Sequence, residues 1–351
     1  MKQKVLITGN LGYIGTVLVD ELRARGYEPV GYDMGYYRGM ELAEARDPRA
    51  QIMKDTRDAV ARDFAGIDAV IHLAALSNDP LGELTPNITE DINFTGTMTV
   101  ARAARAAGVK RFIYASSQSM YGVADTSHEL TEDEAGPYGV TAYARTKWDA
   151  EVELKKMNRD DFIVACFRPS TVFGASPRLR CDIVYNSLVG SAYLGGKVEV
   201  KSDGTPWRPV VHVRDVSRAF IAGLEAPREL VAGESFNVGI SNGNFTVRDL
   251  AEATQRAVPG STLVFTGEHG KDSRTYRVSF QKILTKLKDY YKPTEDLDSG
   301  GSELVDFFKK VHISEDQFRG PACNRLKQIQ RLLVEGRLDD GLRWVEQDAS
   351  T

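Results

Sequence analysis

Tyr143-Ala-Arg-Thr-Lys147 puts a phenol and an ammonium one helical turn apart on one face of a helix. An ammonium held near a phenol favours the phenolate, so the spacing predicts a Tyr143 pKa lowered toward neutrality. Such a tyrosine takes a proton from an alcohol as hydride leaves the carbon, then returns it. Ser117, just beyond the fifth apolar run, supplies a hydroxyl for the same oxygen. Tyr and Lys at this spacing are common on amphipathic helices, so the pair gains meaning only from what precedes it.

What precedes it is a glycine loop. Gly9-Asn10-Leu11-Gly12-Tyr13-Ile14-Gly15 follows the first apolar run directly and opens a helical pattern. Unpaired N–H groups and aligned dipoles at a helix N-terminus favour an anion, and glycine lets a pyrophosphate approach. The loop is G-x-x-G-x-x-G, one residue longer in its first turn than the usual dinucleotide fingerprint. Asp33 ends the second apolar run, where a carboxylate accepts from both ribose hydroxyls and repels a 2′-phosphate. Met34 follows it instead of a cation, so NAD is favoured over NADP.

These groups need a scaffold. Residues 5–7, 30–32, 51–53, 69–73, 112–115 and 163–167 form short apolar runs, read as buried parallel strands. Helix-period segments at 14–25, 96–107 and 143–157 lie between them, with Gly26 as a stop signal. The alternation predicts an α/β fold of the Rossmann type, a doubly wound parallel sheet with helices on both faces. Beyond about residue 175 Gly and Pro break the chain into shorter pieces, followed by a mostly helical, charged remainder. The expected division is a NAD-binding domain of 1–175 plus about 213–240, and a smaller substrate domain of 176–212 and 241–351. Leu326, Ile329, Leu332 and Leu333 mark an amphipathic helix expected to pack on the smaller domain.

A net charge of -4 shows no surplus of cations for a nucleic acid. No run approaches the ~18 apolar residues that span a bilayer, and no secretory pattern opens the chain, so a cytoplasmic enzyme is expected. Cys166, Cys181 and Cys323 lack metal or redox spacing and read as small buried side chains. No histidine shows metal-ligand spacing, so no metal is expected.

The ordered motifs resemble the extended short-chain dehydrogenase/reductase family, in particular its nucleotide-sugar epimerases and dehydratases. They are the Gly9–Gly15 loop, His72-Leu-Ala-Ala75, Asn93-Phe-Thr-Gly-Thr97, Ser116-Ser-Gln-Ser-Met-Tyr-Gly122, the Tyr143/Lys147 pair and Arg168-Pro169. Asp203-Gly204 through Arg208, and His212-Val-Arg-Asp-Val216, continue the likeness. The resemblance implies adenine contacts from Asp55 and Thr56 and a cofactor lining from Leu73, Ala74 and Ala75. It also brings Asn93, Ser116 and Arg168 to the cofactor side, and Arg208 and Arg274 to the substrate's phosphates. Ser117, Gln118, Ser119, Tyr143 and Asn186 are then expected near the sugar, with Asn186 the best candidate in the segment that also holds Arg178, Arg180 and Asp182. A homodimer pairing the helices near 96–107 and 143–157 is implied as well.

Departures from the family narrow the reaction. Dehydrating members resemble one another in carrying Thr-Asp-Glu where this chain has Ser117-Gln118-Ser119. Gln118 cannot act as an acid and Ser119 is a poor base, so dehydration is disfavoured. Related decarboxylases carry an acidic residue at the position of Ser119 and are disfavoured too. Arg208-Pro209-Val210 and Ser77-Asn-Asp-Pro80 also differ from the common pattern. The expectation is an NAD-dependent nucleotide-sugar epimerase acting at C4 of a nucleotide-diphosphate sugar. A 4-keto-sugar reductase and a catalytically silent NAD sensor are the alternatives.

Overall fold

The computed structural model describes residues 2–46, 48, 50–77, 79–267 and 275–345. Alternating side chains in the apolar runs point to opposite faces and meet two different helical layers. Val5 and Ile7 pack with Leu18, Val19, Leu22, Val216 and Phe220 on one face. Leu6 packs with Phe64, Val100, Ala104, Ala150 and Leu154 on the other. A strand buried on both faces cannot alternate apolar with polar, which is why these runs are continuous.

Among the described residues there are twelve strands: β1 Lys4–Thr8, β2 Glu28–Asp33, β3 Ala50–Met53, β4 Ala69–His72, β5 Arg111–Ala115, β6 Ile163–Pro169, β7 Thr171–Phe173, β8 Lys197–Val200, β9 Trp207–His212, β10 Ser235–Val238, β11 Asn244–Thr246 and β12 Thr262–Phe265. Seven form the central sheet in the order β10-β6-β5-β4-β1-β2-β3, and every pairing in it is parallel. The chain reverses direction of winding between β1 and β4, the place where such sheets open a crevice for ligands. The strand expected at 51–53 differs from its fellows: β3 is the sheet edge, and its residues are mostly exposed because no strand covers their far side.

Helix Tyr13–Ala24 stops as Gly26 turns into the left-handed region at φ 85°. The helices Gly96–Ala106 and Ala142–Lys156 cover the other face. β10 returns to the central sheet by pairing with β6, after helix Val213–Glu225. The region beyond β6 has its own core of Phe173, Tyr185, Val189, Leu250, Leu304 and Phe308. Two small sheets, β11-β9-β7 and β12-β8, complete it. Helix Arg325–Val334 departs from expectation. Its Ile329 and Leu332 pack on Leu76, Leu81 and Ile92, beside the loops of the central sheet. All three cysteines are free and buried, and no helix among the described residues is long and apolar enough to cross a membrane.

Candidate active site

A cavity of about 620 Å³ opens at the carboxyl ends of the central strands. Its walls include Gly9, Gly12, Tyr13, Ile14, Gly15, Asp33, Asp55, Thr56, Leu73, Ala74, Ala75, Ser116, Ser117, Ser119, Tyr143, Lys147 and Arg208. The glycine loop is shaped by contact. A Cβ at Gly15 would lie 2.3 Å from the Gly9 carbonyl oxygen, and one at Gly9 would lie 2.9 Å from the Ala74 nitrogen. At Gly12, the N-cap of the first helix, a Cβ would meet the Gly9 oxygen at 3.1 Å and no other heavy atom within 4 Å. That bare helix N-terminus fits a diphosphate. The Asp33 carboxylate accepts from Leu11 N at 3.1 Å and Gly35 N at 2.7 Å. It is thereby held at the cavity wall, where ribose hydroxyls could use its remaining lone pairs.

A polar relay sets the β1–β4 junction. Thr8 Oγ1 accepts from Leu73 N (3.1 Å) and Ala74 N (3.2 Å), leaving its proton for His72 Nδ1 at 2.7 Å. Thr97 Oγ1 donates to Asn93 O at 2.6 Å and so accepts from His72 Nε2–H at 2.8 Å. The ring is therefore neutral; burial drives its pKa down to about 3. Asn93 does not line the cavity. Its amide accepts from Leu76 N (2.8 Å) and donates to Leu76 O (3.2 Å) and Thr146 Oγ1 (3.3 Å), bracing the cofactor-side loop against the tyrosine helix.

That helix starts at Thr141, whose hydroxyl accepts from Ala144 N. Lys147 Nζ donates to Ala115 O at 2.7 Å, and the Ser117 hydroxyl accepts from Ser119 N at 3.1 Å and lies 2.9 Å from Ser119 Oγ, on the cavity wall it shares with Tyr143. The pKa expectation for Tyr143 is reversed. Burial raises the phenol to about 12, opposed by the Ser117 hydroxyl and the Arg180 charge. Burial also lowers Lys147 to about 7, so its ammonium is only partly charged near neutrality. The spacing argument failed because it weighed the charge and ignored the desolvation of both groups.

Several expected contacts are structural instead. Arg168 turns away from the cavity: its Nε donates to both Glu151 oxygens at 3.1 Å, and its Nη1 reaches Tyr121 Oη and Glu132 O. Ser116 presents its backbone to the cavity while its hydroxyl donates to Glu151. Gln118 is buried, its amide donating to Arg168 O at 3.0 Å, and does not face the sugar space. Asn10 exchanges hydrogen bonds with Gln51 at 2.8 and 3.2 Å. Leu11 contributes its amide to Asp33. Asn186 is fully buried, accepting from Gly174 N and donating to Arg180 O and Tyr13 Oη. Asp55 reaches the cavity with its carboxylate held by Arg57. Arg274 lies outside the described residues.

Residues other than the preferred candidates also reach the cavity. Arg180 and Asp182 do so as an ion pair with Nε–Oδ1 2.9 Å, in the segment where Asn186 had been preferred. Tyr36, Tyr37, Tyr276 and Arg325 also line it. Glu151 was missed although it continues the Tyr143/Lys147 face by one more turn, a spacing legible in the sequence.

The family model "NAD dependent epimerase/dehydratase family" matches residues 5–239, a span that includes the glycine loop, Ser117, Tyr143 and Lys147. The chain belongs to that family. NAD is the family's cofactor, and the Gly12 cradle and Asp33 carboxylate fit it. A family relative, UDP-glucose 4-epimerase of Mycolicibacterium smegmatis, is 31% identical over 87% of this chain and 98% of its own. UDP-N-acetyl-alpha-D-glucosaminuronate decarboxylase of Bacillus cytotoxicus is 27% identical over 89% and 99%. Among solved structures, MoeE5 in complex with UDP-glucuronic acid and NAD shares 26% identity and a TM-score of 0.74, over 88% of this chain and 99% of that one.

Proposed function

We propose that this chain is a nucleotide-sugar epimerase that inverts C4 of a nucleotide-diphosphate sugar through a transient 4-keto sugar. The observation that carries the reading is that Ser117, Tyr143 and buried Lys147 line the same cavity as the glycine loop. When bound, NAD supplies a hydride acceptor and, at the end of the cycle, a hydride donor. The C4 hydroxyl proton passes to the Tyr143 phenolate, and Tyr143 later gives it back to the C4 oxygen. With a resting pKa of about 12, Tyr143 needs help to lose its proton; Ser117 and Arg180 both act in that direction. Lys147, near 7, can hold or release a proton at neutral pH.

The absence of a carboxyl group at positions 118 and 119 supports epimerisation over elimination and over decarboxylation. Gln118 is moreover tied to Arg168 O, away from the sugar. Arg208 and the Arg180–Asp182 pair are proposed to receive the sugar nucleotide, Arg208 at its phosphates. The reading includes a NAD-binding unit of 1–175 plus about 213–240, a substrate unit from the remainder, a cytoplasmic setting, and a homodimer through the outward faces of the helices Gly96–Ala106 and Ala142–Lys156. Light scattering tests the last point.

The decisive experiment incubates the purified protein with a panel of nucleotide sugars and no added cofactor. Inversion at C4 without solvent deuterium uptake at C5, together with NAD released on denaturation, is the expected result. Stoichiometric NADH consumption by a 4-keto sugar would instead identify a reductase and overturn the reading. NAD release with no turnover of any sugar would point to the silent sensor.

A further inference from the structure

The last described stretch of the chain returns to one end of the cavity and ties together the three loops that follow β2, β3 and β4. At the β2 loop, Trp344 Nε1 donates to Met34 O at 2.7 Å, Gln328 Nε2 to Tyr36 O at 2.9 Å, and Tyr36 Oη to Leu342 O. At the β3 loop, Arg57 Nη1 donates to Gly341 O at 2.9 Å, and Arg343 pairs with Asp58 at 2.6 Å. At the β4 loop, Leu76, Leu81 and Ile92 are covered by Ile329, Leu332, Leu338 and Leu342. Leu342 is held at φ 54°, a conformation rare for a branched side chain, with its side chain buried in that cluster. This is the end marked by Asp33, where the ribose of a dinucleotide belongs.

The same segment brings a buried cation to the cavity wall. Arg325 is 2% exposed, lies 4.2 Å from the Tyr37 ring centroid, and donates through Nη2 to Arg178 O at 3.0 Å. Arg178 is fully buried, with one arm paired to Glu41. Among the described residues, Arg178 Nε and Nη1 and Arg325 Nη1 have no hydrogen-bond partner. Two neighbouring guanidinium groups with three open donors are costly in a protein interior unless an anion joins them.

We propose that segment 325–344 is a clasp that retains the dinucleotide between turnovers, with the Arg325 guanidinium, backed by Arg178, holding its diphosphate. The proposal rests on the NAD reading above and assigns the retention of the cofactor, which that reading already requires, to this segment. The segment's contacts span all three loops, so release of the dinucleotide requires several of them to break together.

The test measures NADH release from the full-length protein by the fall in its fluorescence on dilution into excess NAD. Dinucleotide per protomer after gel filtration and the melting temperature are recorded alongside. Arg325→Met keeps the volume and removes the charge, and is expected to speed release about tenfold or more. Arg343→Ala breaks the Asp58 strut and the 3.5 Å pairing of Arg343 with Asp55 at the cavity wall, whose carboxylate Arg57 still holds; it and Trp344→Phe are expected to speed release several-fold. Unchanged release in folded Arg325→Met overturns the role of that residue, and unchanged release in both strut variants overturns the clasp. If Arg325→Met does not fold, the strut variants decide. The same diphosphate chemistry could belong to the sugar nucleotide, so UDP binding is titrated in parallel. A variant that loses UDP affinity and keeps its NADH release rate also overturns the proposal. Faster release in the variants with no sugar inverted by the wild type would uphold the clasp while sinking the epimerase reading.

Discussion

Lys147 Nζ lies 2.7 Å from the Ala115 carbonyl oxygen and 4.8 Å from the Tyr114 ring centroid. The end of β5 thus fixes the ammonium, and one helical turn earlier the same helix holds Tyr143 on the cavity wall it shares with Ser117. Tyr143 and Lys147 are thus positioned by a strand end and a helix.

Replacing Tyr143 by Phe removes only the phenol oxygen. Inversion of the sugar is expected to fall by ~10³-fold, within the range of lost acid–base catalysis, while NAD released on denaturation stays near the wild-type amount. Near-normal turnover in this variant would overturn the assigned role.

Lys147 also gives a stability prediction. Its folded pKa of about 7 lies below the ordinary 10.5. Between those values the unfolded chain binds more protons, so this group's contribution raises stability as pH rises from about 7 toward 10.5, by at most ~1.4 kcal/mol per pH unit. Tyr143 has a raised pKa and opposes this only above its ordinary 10.0, as pH climbs toward 12. Urea titrations from pH 7 to 9.5 should therefore show a steeper rise for wild type than for Lys147→Met. Parallel pH profiles would contradict the burial argument.

Arg168→Met leaves Glu151 buried and short of its cation. The expected loss is ~3–5 kcal/mol by urea unfolding, whereas the pair replaced together by Met and Leu should recover much of it. Because Glu151 also holds the Ser116 hydroxyl, the single variant should lose turnover through Ser117 as well. A cofactor-contact role would instead show as weakened NAD binding with stability intact.

Asp33→Asn tests the cofactor choice. Removing the charge next to the ribose should narrow the preference for NAD over NADP by about 5- to 150-fold, ~1–3 kcal/mol. Equilibrium binding of the two dinucleotides to apo protein measures it, and an unchanged ratio would assign the discrimination elsewhere.

Asn186 and Arg180 show how far pattern reading reaches. Both lie in one short segment, and nothing in their residue types says which faces the cavity. The helix Val184–Gly195 begins so that Asn186 turns inward to Tyr13 and Gly174, while Arg180, just before it, pairs with Asp182 at the cavity wall. Gln118 and Arg168 belong to the same class: each sits beside the site in sequence, and each turns its polar end into the interior.

From the chain alone come the strand–loop–helix order, the glycine loop ahead of Asp33, and the Tyr143/Lys147 face, because local periodicity and steric demands express them within a few residues. Long-range packing settled the rest. It chose which polar side chains are desolvated, reversed the expected Tyr143 pKa, bound Arg168 to Glu151, and carried Arg325 from the far end of the chain to the rim of the cavity. Such outcomes depend on dielectric surroundings and on partners from 17 to 310 residues away, and neither is written in local spacing.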